Sequence, residues 1–202
     1  MGVFGILGGT FDPIHFGHLV LAEKAREACK LQKVVFVPAA VPPHKIGEVY
    51  TSAENRLKMV ELAIKDNPYF EVSTVEIERK GPSYTIDTIK ELTARGHGEQ
   101  AVLILGFDSL LELHTWRDYQ AIISQTKIIT AFRPGYPVLQ KESDWPAFLE
   151  PYRNQIRILE APLLDISSTW LRVELMYERS IRYLAPDPVI DYIRRERLYH
   201  EF

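Results

Sequence analysis

Six short β-rich runs alternate with stretches of helical periodicity, and that alternation limits the fold more than any other feature of the chain. The runs are VFGILG (3–8), KVVFVP (33–38), FEVSTVEI (70–77), AVLILG (101–106), KIITAF (127–132) and IRILEAP (156–162). Several are apolar throughout, as strands are when both faces of their sheet are covered. Between them, GHLVLAEKAREACKL opens at a histidine turn, SAENRLKMVELAIKDN follows Thr51 in an expected capping box with Glu54, and YTIDTIKELTARG ends at Gly96. SSTWLRVELMYER and DPVIDYIRRERLYH close the sequence, with Asp187 and Pro188 expected at the N-cap and first position of the last helix. This order predicts a doubly wound α/β architecture, a mostly parallel sheet with helices on both faces.

In such a sheet ligands sit beyond the carboxyl ends of the strands, so the residues that follow strands carry the functional information. The 202 residues suffice for one substantial core, and the expectation is a single domain over 1–202, with the helical part from about 166 to 202 packed on it. Residues 133–155, punctuated by proline, read as a surface excursion. A formal net charge of -3 gives no global field for a nucleic-acid backbone or an anionic membrane, so neither is an expected partner. Any phosphate must then be held locally. The lone Cys29 cannot form an internal disulfide, and the apolar start lacks the basic flank of a signal peptide, which together suit a reducing cytoplasm. Whether the protein works as a monomer or a homo-oligomer is not legible.

GGTFDPIHFGH (8–18) is the densest concentration of chemistry. Gly8 and Gly9 allow a sharp turn and close backbone approach, and the helix that follows presents unpaired N–H groups and a positive dipole end to an anion. His15 and His18, three apart, are expected on one face of its first turn, where both could donate to phosphate oxygens. Thr10 could add a hydroxyl donor, and Asp12 reads as a turn cap. Zinc is the rival use of two histidines, but His44, His97, His114 and His200 show no matching ligand spacing. The glycines lack the G-x-G-x-x-G spacing of a dinucleotide fingerprint, and no G-K-[ST] follows them as in a Walker loop.

Further candidates follow other strands. Lys45, on the stiff PPHK loop, could close over a phosphate or be an ordinary solvated lysine. Ser83, Tyr84 and Thr85 open a helix, giving donors suited to a carboxylate or merely a cap. Trp116 offers a flat face for a ring, or is core. Asp108, after the AVLILG strand, could accept a ribose hydroxyl or cap SLLEL. Arg133 follows KIITAF, and Ser167, Ser168 and Arg172 surround another helix start.

GGTFDPIHFGH resembles the histidine signature of nucleotidylyltransferases. With VPAAVPPHK, NRLKMVELA, GPSYTIDTI, LGFDSLLELHTW, AFRPG and ISSTWLR in the same order, the whole chain resembles the bacterial nicotinate-nucleotide adenylyltransferases. The resemblance implies a Rossmann-like fold and transfer of AMP from ATP, with Mg²⁺, to nicotinate mononucleotide. It implies that ATP is held by Gly8, Gly9, Thr10, Phe11, His15 and His18 from the first signature, and by Gly106, Asp108, Ile166, Ser167, Ser168 and Arg172 from later ones. It places the mononucleotide against Lys45, Ser83, Tyr84, Thr85, Leu105, Trp116 and Arg133. His15, His18, Lys45 and Arg172 would neutralise charge on the departing pyrophosphate. Phe107 departs from the pattern, since the family more often has a small residue there. Three competitors remain: a relative acting on phosphopantetheine, a class I aminoacyl-tRNA synthetase fragment that would lack its lysine-rich loop, and a non-catalytic nucleotide-binding module.

Overall fold

The computed structural model describes residues 2–41, 51–79, 81–98, 100–131, 145–159, 162 and 164–199. Strands β1 (Val3–Gly9), β2 (Lys33–Pro38), β3 (Phe70–Val72), β4 (Gln100–Gly106), β5 (Lys127–Ala131) and β6 (Ile156–Leu159) form one sheet in the order β3-β2-β1-β4-β5-β6. Every neighbouring pair is parallel. The helices are α1 (Phe16–Cys29), α2 (Ala53–Ile64), α3 (Val75–Arg79), α4 (Thr85–Ala94), α5 (Phe107–Leu111), α6 (Tyr119–Gln125), α7 (Ser168–Met176) and α8 (Asp187–Arg195).

Strand side chains alternate between faces, and here both faces are apolar. Val34, Phe36, Val102 and Ile104 join a core built with Ala22 and Ala25 of α1, Met59 and Val60 of α2, Leu171 of α7 and Ile190 of α8. Val35, Val37, Leu103 and Leu105 join a second core with Val75 of α3, Ile86 and Ile89 of α4, Leu110 of α5 and Ile122 of α6. Each fully buried Ile, Leu or Phe contributes about 1.5–3 kcal/mol. The uninterrupted apolar strands are therefore the expected signature of a sheet covered on both sides.

The run 70–77 is not one strand. It ends as β3 at Val72, and α3 starts at Val75, because Glu78 N–H donates to Thr74 O at 2.8 Å and buries Val75 and Glu76 under the second core. Its β-branched residues mimic a strand while satisfying a helical turn. At α2 the N-cap is Ser52 rather than Thr51, with Asn55 N–H donating to the Ser52 hydroxyl at 3.2 Å. The last helix begins one residue earlier than expected, with Pro186 at the N-cap and Asp187 inside the first turn. Of the excursion 133–155, residues 133–144 lie outside the described residues, and 150–155 form a 3₁₀ turn.

The strand order reverses between β1 and β4. Their pairing stops at Ile6↔Leu103, although the strands run on to Gly9 and Gly106 and stay paired with their outer neighbours at Gly9↔Pro38 and Gly106↔Ala131. The two central strands thus part over their last three residues. A crevice at such a switch point is where a doubly wound sheet binds ligands.

Candidate active site

A cleft of about 320 Å³ opens at this crevice, lined by 7–12, by His15 and the start of α1, by 106–109, and by 166–169 with Arg172. It contains every residue that the sequence resemblance gave to ATP: Gly8, Gly9, Thr10, Phe11, His15, His18, Gly106, Asp108, Ile166, Ser167, Ser168 and Arg172.

The left-handed residue of the first turn is Phe11, at φ 53°, and not either glycine. Gly8 ends in open space, where an added Cβ would meet nothing within 4 Å; at Gly9 a Cβ would press on the Phe11 ring at 3.0 Å. The glycine pair therefore keeps the cleft floor bare and lets the buried Phe11 ring fold beneath it. That ring meets His18 edge-on at 5.1 Å. His15 is the extended N-cap of α1 rather than a residue of its first turn, and His18 is the third helical residue. Their rings still come together, with centroids 3.8 Å apart. Gly17 permits this: a Cβ there would strike the His15 ring at 2.9 Å.

The second helix start converges on the same place. The Ser167 hydroxyl caps α7, accepting from Trp170 N–H at 3.1 Å. Ser168 is not a cap; its hydroxyl donates to Pro13 O at 2.8 Å, and Arg172 donates to Asp12 O at 2.8 Å. Two helix N-termini and a guanidinium thus face one cleft, a positive setting for a polyphosphate.

Beneath the loop lies a buried polar network. The Asp12 carboxylate does not cap the turn but accepts from Thr51 Oγ1 at 2.7 Å and Tyr199 OH at 2.6 Å. Arg56, 1% exposed, donates to Thr10 O at 2.8 Å, Ala40 O at 3.2 Å and Thr51 O at 3.4 Å. Burial pulls its guanidinium down from the usual range, while the Asp12 carboxylate pushes it back up.

The described residues among those expected at the mononucleotide lie on the other face of the sheet, also near the carboxyl ends. Ser83 Oγ accepts from Ala40 N–H just beyond β2 at 3.0 Å, and Ser83 N–H donates to Val41 O at 3.0 Å. Tyr84 is the N-cap of α4 with Arg117 over its ring at 4.7 Å, and Thr85 is the first helical residue. Leu105 is buried in the second core, against which Tyr84 and Trp116 pack, half-buried. Below them Glu76 accepts from Thr88 Oγ1 at 2.6 Å, and burial raises its carboxyl above the usual value. Lys45 and Arg133 lie outside the described residues. Phe107 is 1% exposed, packing into the second core while bordering the cleft beside Asp108, so its bulk is taken up largely by the interior.

Sequence reasoning gave no role to Gly17, Arg56, Glu76 or Tyr199, and gave Thr51 only a helix-capping one. Gly17 was detectable within HFGH; a buried Arg56 or Glu76 has the same helical spacing as a solvated one. Among the described residues, no three His, Cys, Asp or Glu side chains gather as a metal site, and no helix is long and apolar enough to cross a membrane.

Parted central strands, a bare glycine floor and two helix ends form the binding layout of a nucleotide-handling α/β enzyme. A cytidylyltransferase-like family model matches residues 6–174, a span that takes in every lining residue of the cleft. The probable nicotinate-nucleotide adenylyltransferase of Moorella thermoacetica is 46% identical over 98% of this chain and 92% of its own. That of Desulfitobacterium hafniense is 44% identical over 96% and 94%. The chain belongs to the cytidylyltransferase-like family and, within it, to the nicotinate-nucleotide adenylyltransferases. The Plasmodium falciparum nicotinic acid mononucleotide adenylyltransferase complexed with NaAD shares the fold, with a TM-score of 0.81 at 20% identity over 98% of both chains.

Proposed function

We infer that this enzyme transfers AMP from ATP to nicotinate mononucleotide, forming nicotinate adenine dinucleotide and pyrophosphate in NAD biosynthesis. One observation carries the reading: the histidine-bearing start of α1 and the serine- and arginine-bearing start of α7 line a single cleft. The phosphate of the mononucleotide is already an anionic nucleophile at neutral pH, so it attacks the α-phosphorus of ATP without a general base. Catalysis then rests on positioning and charge neutralisation. His15, His18 and Arg172 receive the charge that builds on the leaving pyrophosphate, and Lys45 completes the set. Gly8, Gly9, Thr10 and Ser167 hold the phosphates, and Asp108 accepts a ribose hydroxyl.

Mg²⁺ enters as part of the substrate MgATP. Among the described residues, the carboxylates bordering the cleft are Asp12, engaged by Thr51 and Tyr199, and Asp108; phosphate oxygens and water would supply most ligands of an ion that keeps its hydration. The acceptor lies toward Ser83, Tyr84, Thr85, Leu105 and Trp116, where the N-terminus of α4 meets the nicotinate carboxylate and Trp116 stacks on its ring; Arg133 is assigned to the same substrate. Residues 1–202 act as one nucleotidylyltransferase unit, with 166–202 packed on it, in the cytoplasm.

Product analysis with ATP, Mg²⁺ and nicotinate mononucleotide, nicotinamide mononucleotide or phosphopantetheine in turn tests this. The expected result is dinucleotide and stoichiometric pyrophosphate with the first. Turnover with phosphopantetheine alone, or ATP binding with no pyrophosphate from any acceptor, sinks it.

A further inference from the structure

The loop 10–13 that floors the cleft has its backbone carbonyls held by side chains from distant elements. Arg56 binds Thr10 O, Arg172 binds Asp12 O, and Ser168 binds Pro13 O, at 2.8 Å each. The Asp12 side chain is fixed from beneath by Thr51 and by Tyr199, a residue 187 positions downstream. Asp12 is thus a joint: its carboxylate faces the buried network, and its carbonyl takes the arginine that serves the cleft. Tyr199 is 9% exposed, in the left-handed region at φ 64°, with its hydroxyl also 4.0 Å from the Met59 sulfur.

We propose that Tyr199 is a positioning residue for the polyphosphate: through Asp12 it sets the loop carbonyl that holds Arg172 at the rim of the cleft. The inference rests on ATP being the nucleotide bound there. Burial, then the neighbouring Asp12 carboxylate, raises the phenol above its ordinary value, so it stays a protonated donor at pH values where a free phenol ionises. A donor fixed in this way holds the joint in one arrangement, and a guanidinium displaced by a fraction of an ångström makes a weaker contact with phosphate oxygens. Substrate contacts that do not pass through Arg172 are untouched.

Tyr199→Phe removes one oxygen and keeps the ring in its pocket. Calorimetric titration of the full chain with MgATP and separately with AMP, without acceptor, separates positioning from general loosening. The expected result is MgATP bound about five- to tenfold more weakly, and AMP, which lacks the outer phosphates, unchanged within twofold. In an Arg172→Ala background, Tyr199→Phe should weaken MgATP less than twofold further. Equal weakening of MgATP and AMP, unchanged MgATP affinity, or losses that multiply with Arg172→Ala overturn the proposal. Should Tyr199→Phe not fold, Thr51→Val removes the other donor to the same oxygen and Thr51→Ser restores it, with the same readings expected. Because no acceptor is present, a failure of the proposed acceptor chemistry appears in product analysis and leaves this comparison intact.

Discussion

The backbone N–H of His15 donates to the Nδ1 of His18 at 3.3 Å, and the two imidazoles lie 3.8 Å apart at 31°. An accepting Nδ1 leaves Nε2 as the proton-bearing nitrogen of a neutral His18. The histidine pair therefore offers a donor without first having to acquire charge, which suits a step whose nucleophile needs no base.

His18→Ala should lower kcat by about 10²–10³, the loss typical of removing one donor to developing charge. The KM for nicotinate mononucleotide should change much less, since His18 stands in the cleft assigned to ATP. Steady-state dinucleotide formation decides it, and unaltered turnover removes His18 from the mechanism.

Arg56→Ala strips the donor from three carbonyls of half-buried residues, at roughly 1–3 kcal/mol for each group left unpaired. Urea denaturation should show a loss of at least about 3 kcal/mol. A loss under 1 kcal/mol would mean that water substitutes for the guanidinium, contrary to its burial.

Glu76 has its carboxyl pushed up by burial, so the folded chain holds its proton to higher pH than the unfolded chain. Its contribution to stability is fully present below the unfolded value near 4.5 and is lost as pH rises through the folded one. Glu76→Gln should flatten the decline in stability above pH 4.5 that the parent shows. Parallel pH–stability curves for the two proteins would contradict the shift.

Discrimination between pyridine substrates should favour the acid. In the proposed acceptor site a carboxylate would accept from the first N–H groups of α4, whereas a carboxamide would turn a donor toward donors, costing about 1–3 kcal/mol. The ratio of kcat/KM for nicotinate over nicotinamide mononucleotide should be about ten to a hundred or more. Equal efficiencies would place the recognition elsewhere.

The alternation of apolar runs with helical periods carried the sheet and the major helices, because strands covered on both faces have no polar side to blur them. Val34 to Val37 show this directly, feeding the two cores in turn. The short α5 and α6 were not delimited as helices, for five and seven residues hold too little periodicity. The residues expected at ATP were legible as a group because they cluster at two helix starts within compact motifs, and the structure gathers them in one cleft. Asp12 was visible but misjudged, since its hydroxyl partners come from Thr51 and Tyr199 and no local spacing announces them. Phe11 was credited only through resemblance, although it and not the glycines bears the left-handed turn.

The span between Asp12 and Tyr199 has a consequence for biosynthesis. A growing polypeptide can pair β1 with β2 early, over a short stretch of backbone, but the floor of the cleft must wait until Tyr199, 187 residues after Asp12, has been translated. Closing so large a span adds an entropic cost that local pairing avoids. Catalytic competence should therefore arrive late in maturation, after most of the sheet has formed.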